Sequence, residues 1–299
     1  MTILTRRRFL TIAASAAALP GFAGPSVSAH WRGVALGAPA SMRLEGLSQA
    51  EADPIFAAVE REVLRLEDIF SLYRPGSEIS RLNDAGRIDA PSVELLEVLS
   101  LSASIHHASD GVFDPTVQPL WVALALGRPP AEIAAARARV GWRNVIFDTG
   151  QVVLRTPGMA LTLNGIAQGM VSDRVHAVLA GRGLKNLLID MGEIVAHGSR
   201  GDSQPWSVGV ADPTGELRHK VRLSDRALAT SATAGTLLNG ATGHILHPDG
   251  RATTPRLVAV SAPRAVIADG LSTALCLSAP AQASRIIDQF AGARLEVAT

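Results

Sequence analysis

The chain has 299 residues, of which 28 are Lys or Arg, 27 are Asp or Glu and one is cysteine. A chain so close to neutrality lacks the basic footprint of nucleic-acid-binding proteins, so we expect no nucleic-acid partner. The single cysteine, Cys276, excludes a disulfide framework within the chain, and its apolar neighbours predict a small buried side chain. The chain must therefore fold by burying apolar surface, as one large domain or two intimate ones.

The first 29 residues have the pattern of an export signal. Arg6-Arg7-Arg8-Phe9 precedes an alanine-rich apolar run over 12–23, and the small-residue cleavage site Val27-Ser28-Ala29 follows. Paired arginines predict twin-arginine export of a folded protein, with a mature chain of residues 30–299 in the periplasm. A membrane anchor is the alternative, but the run is shorter than the roughly 20 residues that span a bilayer. Cleavage removes three arginines and no acid, which leaves 25 basic and 27 acidic residues.

Along the mature chain, the spacing of apolar residues predicts alternating helices and strands. Helices are predicted over 54–70, 94–107 and 131–140, with a Pro-Gly loop over 73–83. Apolar triplets at 145–147 and 152–154 flank Asp148-Thr149-Gly150 and predict a hairpin. Further strands are predicted over 160–163, 187–190, 206–210, 227–230 and 257–261; one helix ends at Ala180 and another carries Asp269 and Thr273. Hairpins mixed with crossovers favour an α+β fold with a mixed sheet over a purely doubly wound sheet.

The segment 162–173 runs from a predicted strand into a helix through a loop of small residues, Asn164-Gly165-Ile166-Ala167-Gln168-Gly169. Such a loop lets a ligand approach the backbone closely, and a helix N-terminus favours a pyrophosphate. The loop has neither the Gly-Lys-Ser/Thr of a Walker A motif nor the Rossmann spacing. A tight turn without a ligand is the alternative, and the sequence leaves both open.

Two loops contain aromatic residues that could line a pocket. The loop 111–121 is restricted by Pro115 and Pro119, and it is either a pocket wall or a rigid loop anchored by Phe113 and Leu120. Tyr73 is the one tyrosine of the chain and lies in a polar loop. Its ring is suited to stacking on a heterocyclic ligand, and packing in the core is the alternative.

Two histidines, His244 and His247, lie three residues apart beside glycines. A zinc pair is one interpretation, but no convincing third ligand lies nearby in the sequence. A single histidine that acts as a general acid or base is more economical. A surface or structural role for either histidine remains open.

Asp269 and Thr273 are spaced so that a helix would place them on one face. A carboxylate and a hydroxyl together offer the hard oxygen ligands that Mg²⁺ prefers. The alternative is structural: Asp269 caps the first turn of its helix, and Thr273 bonds back to the carbonyl of that turn.

Taken in chain order, these segments resemble the ApbE family, the FAD:protein FMN transferases. The resemblance spans nearly the whole mature chain. The blocks that carry it are Ser71-Leu72-Tyr73 through Leu82-Asn83, Phe113-Asp114-Pro115-Thr116-Val117, Leu163-Asn164-Gly165-Ile166-Ala167-Gln168-Gly169, Leu228-Ala229-Thr230-Ser231, His244-Ile245-Leu246 with Pro248, and Ala268-Asp269 to Thr273. It implies a T-fold-like α+β arrangement of mixed or antiparallel sheets with packed helices, in a single catalytic unit. Twin-arginine export suits the family, in particular its branch associated with nitrous oxide reductase.

The resemblance also implies that FAD is the substrate and that Mg²⁺ binds its diphosphate. Asp269, Thr273 and the backbone carbonyl of Gly165 match the family's metal ligands, and His244 matches its catalytic histidine. The positions that match FAD contacts are Leu36, Tyr73 (the flavin-pocket aromatic), Val112, Phe113, Asp114, Thr162, Gln168 and Ile245.

The implied reaction is Mg²⁺-dependent transfer of the FMN moiety of FAD to a threonine hydroxyl, with release of AMP. The acceptor is expected to be a protein with an Asp-x-Ser/Thr-Gly-Ala-Thr-like site, and the chain would meet a membrane only through that acceptor or during export. FAD pyrophosphatase activity and a non-catalytic flavin-binding role beside a periplasmic reductase are the alternatives. The departures from the family pattern are Gln168 for Lys or Glu, His247 for Asp, Asp249-Gly250 for Thr-Gly, Ala232 for Gly, and Gly192-Glu193 for Gly-Gly. They affect the expected acceptor specificity and rate more than FAD binding.

Overall fold

The structure is a computed structural model that describes residues 16–18 and 27–299. The strands of this part of the chain are β1 (Ala16–Ala18), β2 (Ser28–Ala35), β3 (Ala38–Glu45), β4 (Arg87–Asp89), β5 (Val145–Phe147), β6 (Gln151–Leu154), β7 (Leu187–Asp190), β8 (Ile194–His197), β9 (Trp206–Ala211), β10 (Leu217–Leu223), β11 (Arg226–Ala232), β12 (Leu237–Leu238), β13 (Thr242–Gly243), β14 (Leu257–Ala262) and β15 (Arg294–Ala298). Its α-helices are α1 (Gln49–Phe70), α2 (Glu78–Ala85), α3 (Val93–Ala108), α4 (Gln118–Ala125), α5 (Pro130–Arg137), α6 (Ala167–Ala180), α7 (Ala265–Leu277) and α8 (Ala283–Ile287).

Seven strands form the central sheet, in the spatial order β15-β14-β11-β8-β7-β3-β2. Smaller sheets are β1-β9-β10, β4-β6-β5 and β12-β13. Every strand pair within the described residues is antiparallel. The α+β prediction is confirmed, and of the two sheet types expected the antiparallel one is present.

The inner strands β7, β8 and β14 of the central sheet are buried on both faces, which explains why they read as continuous apolar runs in the sequence. Leu187 and Ile189 of β7 belong to the main core with the helices, whereas Leu188 between them belongs to a second core with β9 and β10. The same alternation holds in β14, where Val258 and Val260 belong to the main core and Leu257 and Ala259 to the second core. Side chains that alternate across a strand therefore find apolar partners on either side.

Helices α6 and α7 pack against each other, and α7 also packs on β11 and β14. A Cβ built at Gly169 would lie only 2.4 Å from the carbonyl oxygen of Ala265, so the two helices touch through their backbones. Glycine at 169 permits this close crossing. The crossing brings the N-terminus of α6 beside the first turns of α7.

Most predicted elements are present. The predictions for the start of α1, the loop 73–83 and the end of α5 are wrong in part, and so is the prediction of a strand over 160–163. Helix α1 begins at Gln49 rather than 54, because Ser48 and Glu51 form a reciprocal capping box. The loop predicted over 73–83 contains α2, whose N-terminus is capped by Ser77. Helix α5 ends at Arg137, three residues before its predicted end.

The predicted strand 160–163 belongs to no sheet. Its backbone is satisfied instead by Asn83, whose side chain accepts from the Leu161 N–H at 2.7 Å and donates to the Leu161 carbonyl at 2.9 Å. The Thr162 N–H donates to the carbonyl of Pro115 at 2.8 Å. A side-chain amide thus replaces the neighbouring strand.

The predicted export signal covers residues 1–29, and most of it lies outside the described residues. Ala16–Ala18 pairs with β9, and Ser28 and Ala29 of the predicted cleavage site belong to β2, where Ala29 is buried. In the described part of the chain, no helix is both long and apolar enough to cross a membrane.

Candidate active site

One cavity gathers residues from segments that are far apart in sequence. Its walls are the loop before α4, the loop that enters α6, the β7–β8 turn, the end of β11, the segment after β13, and α7. The predicted site residues that line it are Val112, Phe113, Asp114, Thr162, Gly165, Gln168, His244, Ile245, Asp269 and Thr273. All the predicted site residues except Leu36 and Tyr73 therefore lie around one cavity.

Helices α6 and α7 cap each other at this cavity. Asp269 of α7 is 3% exposed, and its Oδ2 accepts from the backbone N–H of Gly169, in the first turn of α6, at 3.0 Å. In return, Asp173 of α6 accepts from the backbone N–H groups of Ala265 and Val266 at the start of α7, at 2.7 and 3.3 Å. Each carboxylate faces the positive end of the other helix.

The structural alternative for Asp269 is therefore wrong in its details. Helix α7 begins at Ala265, so Asp269 lies beyond its first turn, and the helix that it caps is α6. The hydroxyl that bonds back to the Asp269 carbonyl is that of Ser272, at 2.9 Å, rather than that of Thr273.

Thr273 is held between a glycine and a serine. A Cβ built at Gly165 would lie 2.9 Å from Thr273 Oγ1, so the loop entering α6 and the side chain of Thr273 are in direct contact. On the other side, Ser231 Oγ lies 3.3 Å from Thr273 Oγ1 and 2.7 Å from Ser272 Oγ. These contacts fix where the Thr273 hydroxyl stands within the cavity wall.

Glu193 is a buried acid in the same cavity, at the turn between β7 and β8. The residue as a whole is 6% exposed, and its Oε2 has no hydrogen-bond partner. The backbone N–H of Thr230 bonds its carboxyl group, while the Thr230 hydroxyl, also on the cavity wall, has no partner either. Buried polar atoms without partners are uncommon in folded proteins, and these two lie on the wall of one cavity.

The electrostatics of the cavity are acidic. Burial raises the pKa of Asp269, and burial together with the negative charges of Asp269 and Asp190 raises the pKa of Glu193 well above its ordinary value. None of the residues that line the cavity is Lys or Arg. Two carboxyl groups without a countercharge are held there at an energetic cost, which a bound cation would relieve.

His244 lines the cavity on the side of the β12–β13 hairpin. Its Nδ1 lies 3.2 Å from the carbonyl oxygen of Thr236, which requires Nδ1 to carry the proton and leaves Nε2 with its lone pair. Burial lowers the pKa of His244 and so favours the neutral ring. A neutral imidazole with a free Nε2 is the form that acts as a general base.

The two histidines do not form a metal pair. His247 is bound by Asp249 at 2.7 Å through Nδ1 and by Arg251 at 2.5 Å through Nε2, which occupies both ring nitrogens. Among the residues that the structure describes, no group of three or more His, Cys, Asp or Glu side chains is placed to hold a metal ion. The zinc interpretation is therefore wrong for this part of the chain.

Asp114 has a structural task beside the cavity. Its carboxylate accepts from the Thr116 N–H at 2.8 Å, from the Thr116 hydroxyl at 2.6 Å and from the Trp142 N–H at 3.2 Å. His106 Nδ1 lies 2.8 Å from the carbonyl oxygen of the preceding residue, Phe113. These bonds hold the loop 112–117 rigid, so the backbone of this loop forms a fixed wall of the cavity.

Tyr73 and Leu36 lie elsewhere. Tyr73 is 45% exposed and lines a second cavity, to which residues of α4 and Ala160 also contribute. Leu36, in the β2–β3 turn, donates its N–H to Glu67 at 2.9 Å, and Glu67 is paired with Arg74, next to Tyr73. Neither Tyr73 nor Leu36 is among the residues that line the cavity of Asp269.

Comparison with known proteins agrees with this arrangement. The sequence profile of the ApbE family matches residues 36–297. The chain belongs to the ApbE family. Proteins named FAD:protein FMN transferase from Klebsiella pneumoniae (strain 342) and Vibrio cholerae (serotype O1, strain O395) are each 27% identical to it. The alignments cover 81% of this chain and 76% of the Klebsiella protein, and 90% of this chain and 87% of the Vibrio protein.

Solved ApbE structures share the fold. The flavin transferase ApbE from Vibrio cholerae superposes with a TM-score of 0.78 at 24% identity, covering 88% of this chain and 91% of that one. The ApbE protein from Thermotoga maritima gives a TM-score of 0.73 at 26% identity, with 89% and 92% covered. The prediction of family and fold from the ordered sequence blocks is confirmed.

Sequence reasoning about this ApbE member missed three residues of the site. The sequence singled out Glu193 only as a departure from the family's Gly-Gly. An acid that follows a glycine at the end of an apolar strand could have identified it as a candidate site residue. Asp173 and Ser231 lie in segments that the sequence singled out, 162–173 and 228–231. Their roles were not predicted, because their partners Ala265 and Thr273 are 92 and 42 residues away.

Proposed function

We propose that this chain is a Mg²⁺-dependent FAD:protein FMN transferase, which moves the FMN moiety of FAD to a threonine hydroxyl of an acceptor protein and releases AMP. The observation that carries the proposal is the acidic lining of the cavity: Asp114, Glu193 and Asp269 line it, and no lining residue is Lys or Arg. When ionised, these carboxyl groups would repel a diphosphate. An anionic substrate therefore needs a cation in this cavity.

The residues present fit a magnesium ion. Asp269 offers a carboxylate oxygen, Thr273 a hydroxyl and Gly165 a backbone carbonyl, all hard oxygen ligands of the kind that Mg²⁺ prefers. The contact between Gly165 and Thr273 leaves no room for a side chain at 165, as expected where backbone serves as a ligand. Bound Mg²⁺ would withdraw charge from the diphosphate and stabilise AMP as the leaving group.

His244 is the proposed general base. Its Nε2 takes the proton from the acceptor threonine while the threonine oxygen forms a bond to the FMN phosphorus. The bond between that phosphorus and the bridging oxygen breaks, and this oxygen leaves as part of AMP. The Thr236 carbonyl keeps the Nδ1 proton in place, so the ring presents Nε2 throughout.

The acceptor is proposed to be a periplasmic or membrane-facing protein with an Asp-x-Ser/Thr-Gly-Ala-Thr-like site. Export through the twin-arginine pathway would place the folded enzyme beside such a protein. N-terminal sequencing of the protein recovered from the periplasm tests this part of the proposal. An intact N-terminus, or recovery only from the cytoplasm, would contradict it.

The reaction is tested by incubating the purified protein with FAD, MgCl₂ and a candidate acceptor, and by following AMP and the acceptor mass together. We expect AMP to appear in equal amount to acceptor that has gained FMN. AMP without a change of acceptor mass would favour FAD pyrophosphatase activity. FAD recovered intact would favour a flavin-binding accessory protein.

A further inference from the structure

We propose that Glu193 is a second carboxylate ligand of the cation held by Asp269 and Thr273, a role that rests on the proposed function. The family's pattern supplies one acid to this cation, from α7. In this chain Glu193 also lines the cavity, from the turn between β7 and β8.

One carboxyl oxygen of Glu193 has no partner. Glu193 is more than nine-tenths buried, lines the cavity, and leaves Oε2 without a hydrogen-bond partner. Leaving a buried carboxyl oxygen without a partner is unfavourable in a protein interior, whether the group is ionised or protonated. A cation between Glu193 and Asp269 would give that oxygen a partner, and it would turn the repulsion between the two groups into a shared attraction.

Hydrogen bonds fix the backbone of Glu193. Its carbonyl accepts from the Ser172 hydroxyl on α6 and from the Met191 N–H, both at 3.2 Å. Before it, Gly192 has φ of 101° and lies against the side chain of Gln168, which a Cβ at 192 would meet at 2.5 Å. A residue anchored in this way at a tight turn holds its side chain in a defined direction, as a metal ligand requires.

Asp190 provides a matched control, because it is a nearby acid that does not line the cavity. Its Oδ1 accepts from the Gly192 N–H at 3.2 Å, and its charge acts on Glu193 through space. A purely electrostatic contribution to cation binding would be lost from Asp190→Asn as well as from Glu193→Gln. Direct ligation would be lost only from Glu193→Gln.

The test uses Mn²⁺ as a paramagnetic probe with the purified, EDTA-treated protein in the absence of FAD. Affinity is measured by calorimetry, and the number of water molecules on bound Mn²⁺ by water-proton relaxation. We expect Glu193→Gln to weaken Mn²⁺ binding roughly ten- to a hundredfold and to add coordinated water, while Asp190→Asn binds as the unmodified protein does. If Glu193→Gln does not fold, Glu193→Asp keeps the charge on a shorter stem and should bind with intermediate affinity.

Unchanged affinity and hydration in Glu193→Gln or Glu193→Asp would overturn the assignment, and so would an equal loss in Asp190→Asn. Asp269→Asn distinguishes this failure from failure of the proposed function. If Asp269→Asn abolishes Mn²⁺ binding while Glu193→Gln does not weaken it, only the role of Glu193 falls. If Asp269→Asn binds Mn²⁺ normally, the proposed metal site is itself wrong.

Discussion

Replacing Gly165 by alanine tests the close contact on which the proposed metal site depends. The added Cβ would lie 2.9 Å from Thr273 Oγ1 and 3.0 Å from Thr273 Cγ2. Such atoms are in favourable contact from roughly 3.5 Å, so the threonine side chain would have to retreat by about half an ångström. Thr273 is β-branched and bonded to Ser231 across the cavity, so it has little freedom to do so.

A displacement of that size removes a ligand, because Mg²⁺ requires oxygen at about 2.0–2.1 Å. Overpacking typically costs about 1–3 kcal/mol, and each 1.4 kcal/mol is about tenfold in affinity. We therefore expect Gly165→Ala to weaken Mn²⁺ binding roughly ten- to a hundredfold and to slow AMP release. Gly165 is not among the glycines with positive φ, so the alanine adds no backbone strain.

Calorimetry with Mn²⁺ and an assay of AMP release from FAD measure the two effects. Gly181→Ala is the matched control, because Gly181 ends α6 with φ of −63° and ψ of −15°, a conformation that alanine adopts readily. If Gly165→Ala binds Mn²⁺ and turns over FAD as well as Gly181→Ala does, the metal site does not depend on the contact between Gly165 and Thr273.

Three further predictions concern other groups. His244→Gln should lower the transfer rate about 10²–10⁴-fold and leave Mn²⁺ affinity unchanged, since His244 is placed as a base and not as a ligand. Because burial lowers the pKa of His244, the rate in the unmodified protein should fall only below about pH 6.5. Asp190→Asn should stabilise the fold above pH 6, as burial raises the pKa of Asp190 to about 6. If FAD extends from the cavity of Asp269 into the second cavity, which Tyr73 lines, Tyr73→Ala should weaken FAD binding roughly five- to tenfold through lost stacking. Mn²⁺ binding should be unchanged, and Tyr73→Phe should bind FAD normally.

The sign for Asp190 follows from its raised pKa. The folded state binds this proton more tightly than the unfolded state, so the contribution of Asp190 to stability is full below its unfolded pKa of about 3.9. It is lost as pH rises through about 6, and the loss amounts to about 3 kcal/mol. Denaturant titrations at several pH values should show that Asp190→Asn flattens this fall. An unchanged fall of stability with pH in Asp190→Asn would contradict the prediction for Asp190. A midpoint of the pH–rate profile above 6.5 would contradict the prediction for His244. Normal FAD affinity in Tyr73→Ala would contradict the stacking role.

The sequence allowed prediction of those parts of the fold whose partners are local or periodic. The strand patterns at β7, β9, β11 and β14 and the helices α6 and α7 follow from runs of apolar side chains. The segment 160–163 has the same apolar pattern and yet is no strand, because Asn83 satisfies the backbone of Leu161. That contact joins residues 78 positions apart and leaves no trace in the local sequence.

The candidate site divides in the same way. Residue type and order along the chain identified Asp269, Thr273, Gly165 and His244, because each stands in a recognisable block. Glu193 could not be assigned in this way, since its role depends on the pairing of β8 with β11, which sets it beside Thr230. The separation of Tyr73 from the cavity was equally invisible, because it results from the packing of α4 between the two cavities.

A capping role and a ligand role for Asp269 are compatible in the folded chain, although the helix that it caps is α6 and not its own. Its Oδ2 accepts from Gly169 and so caps α6, while the same carboxylate lines the cavity beside Thr273. The cap is what holds the carboxylate still, and an immobile carboxylate is what a cation site requires. Asparagine at 269 would keep an oxygen for the cap and lose the charge, so Asp269→Asn separates the two roles: retained thermal stability with lost Mn²⁺ binding would show that the charge serves the ligand and the oxygen serves the fold.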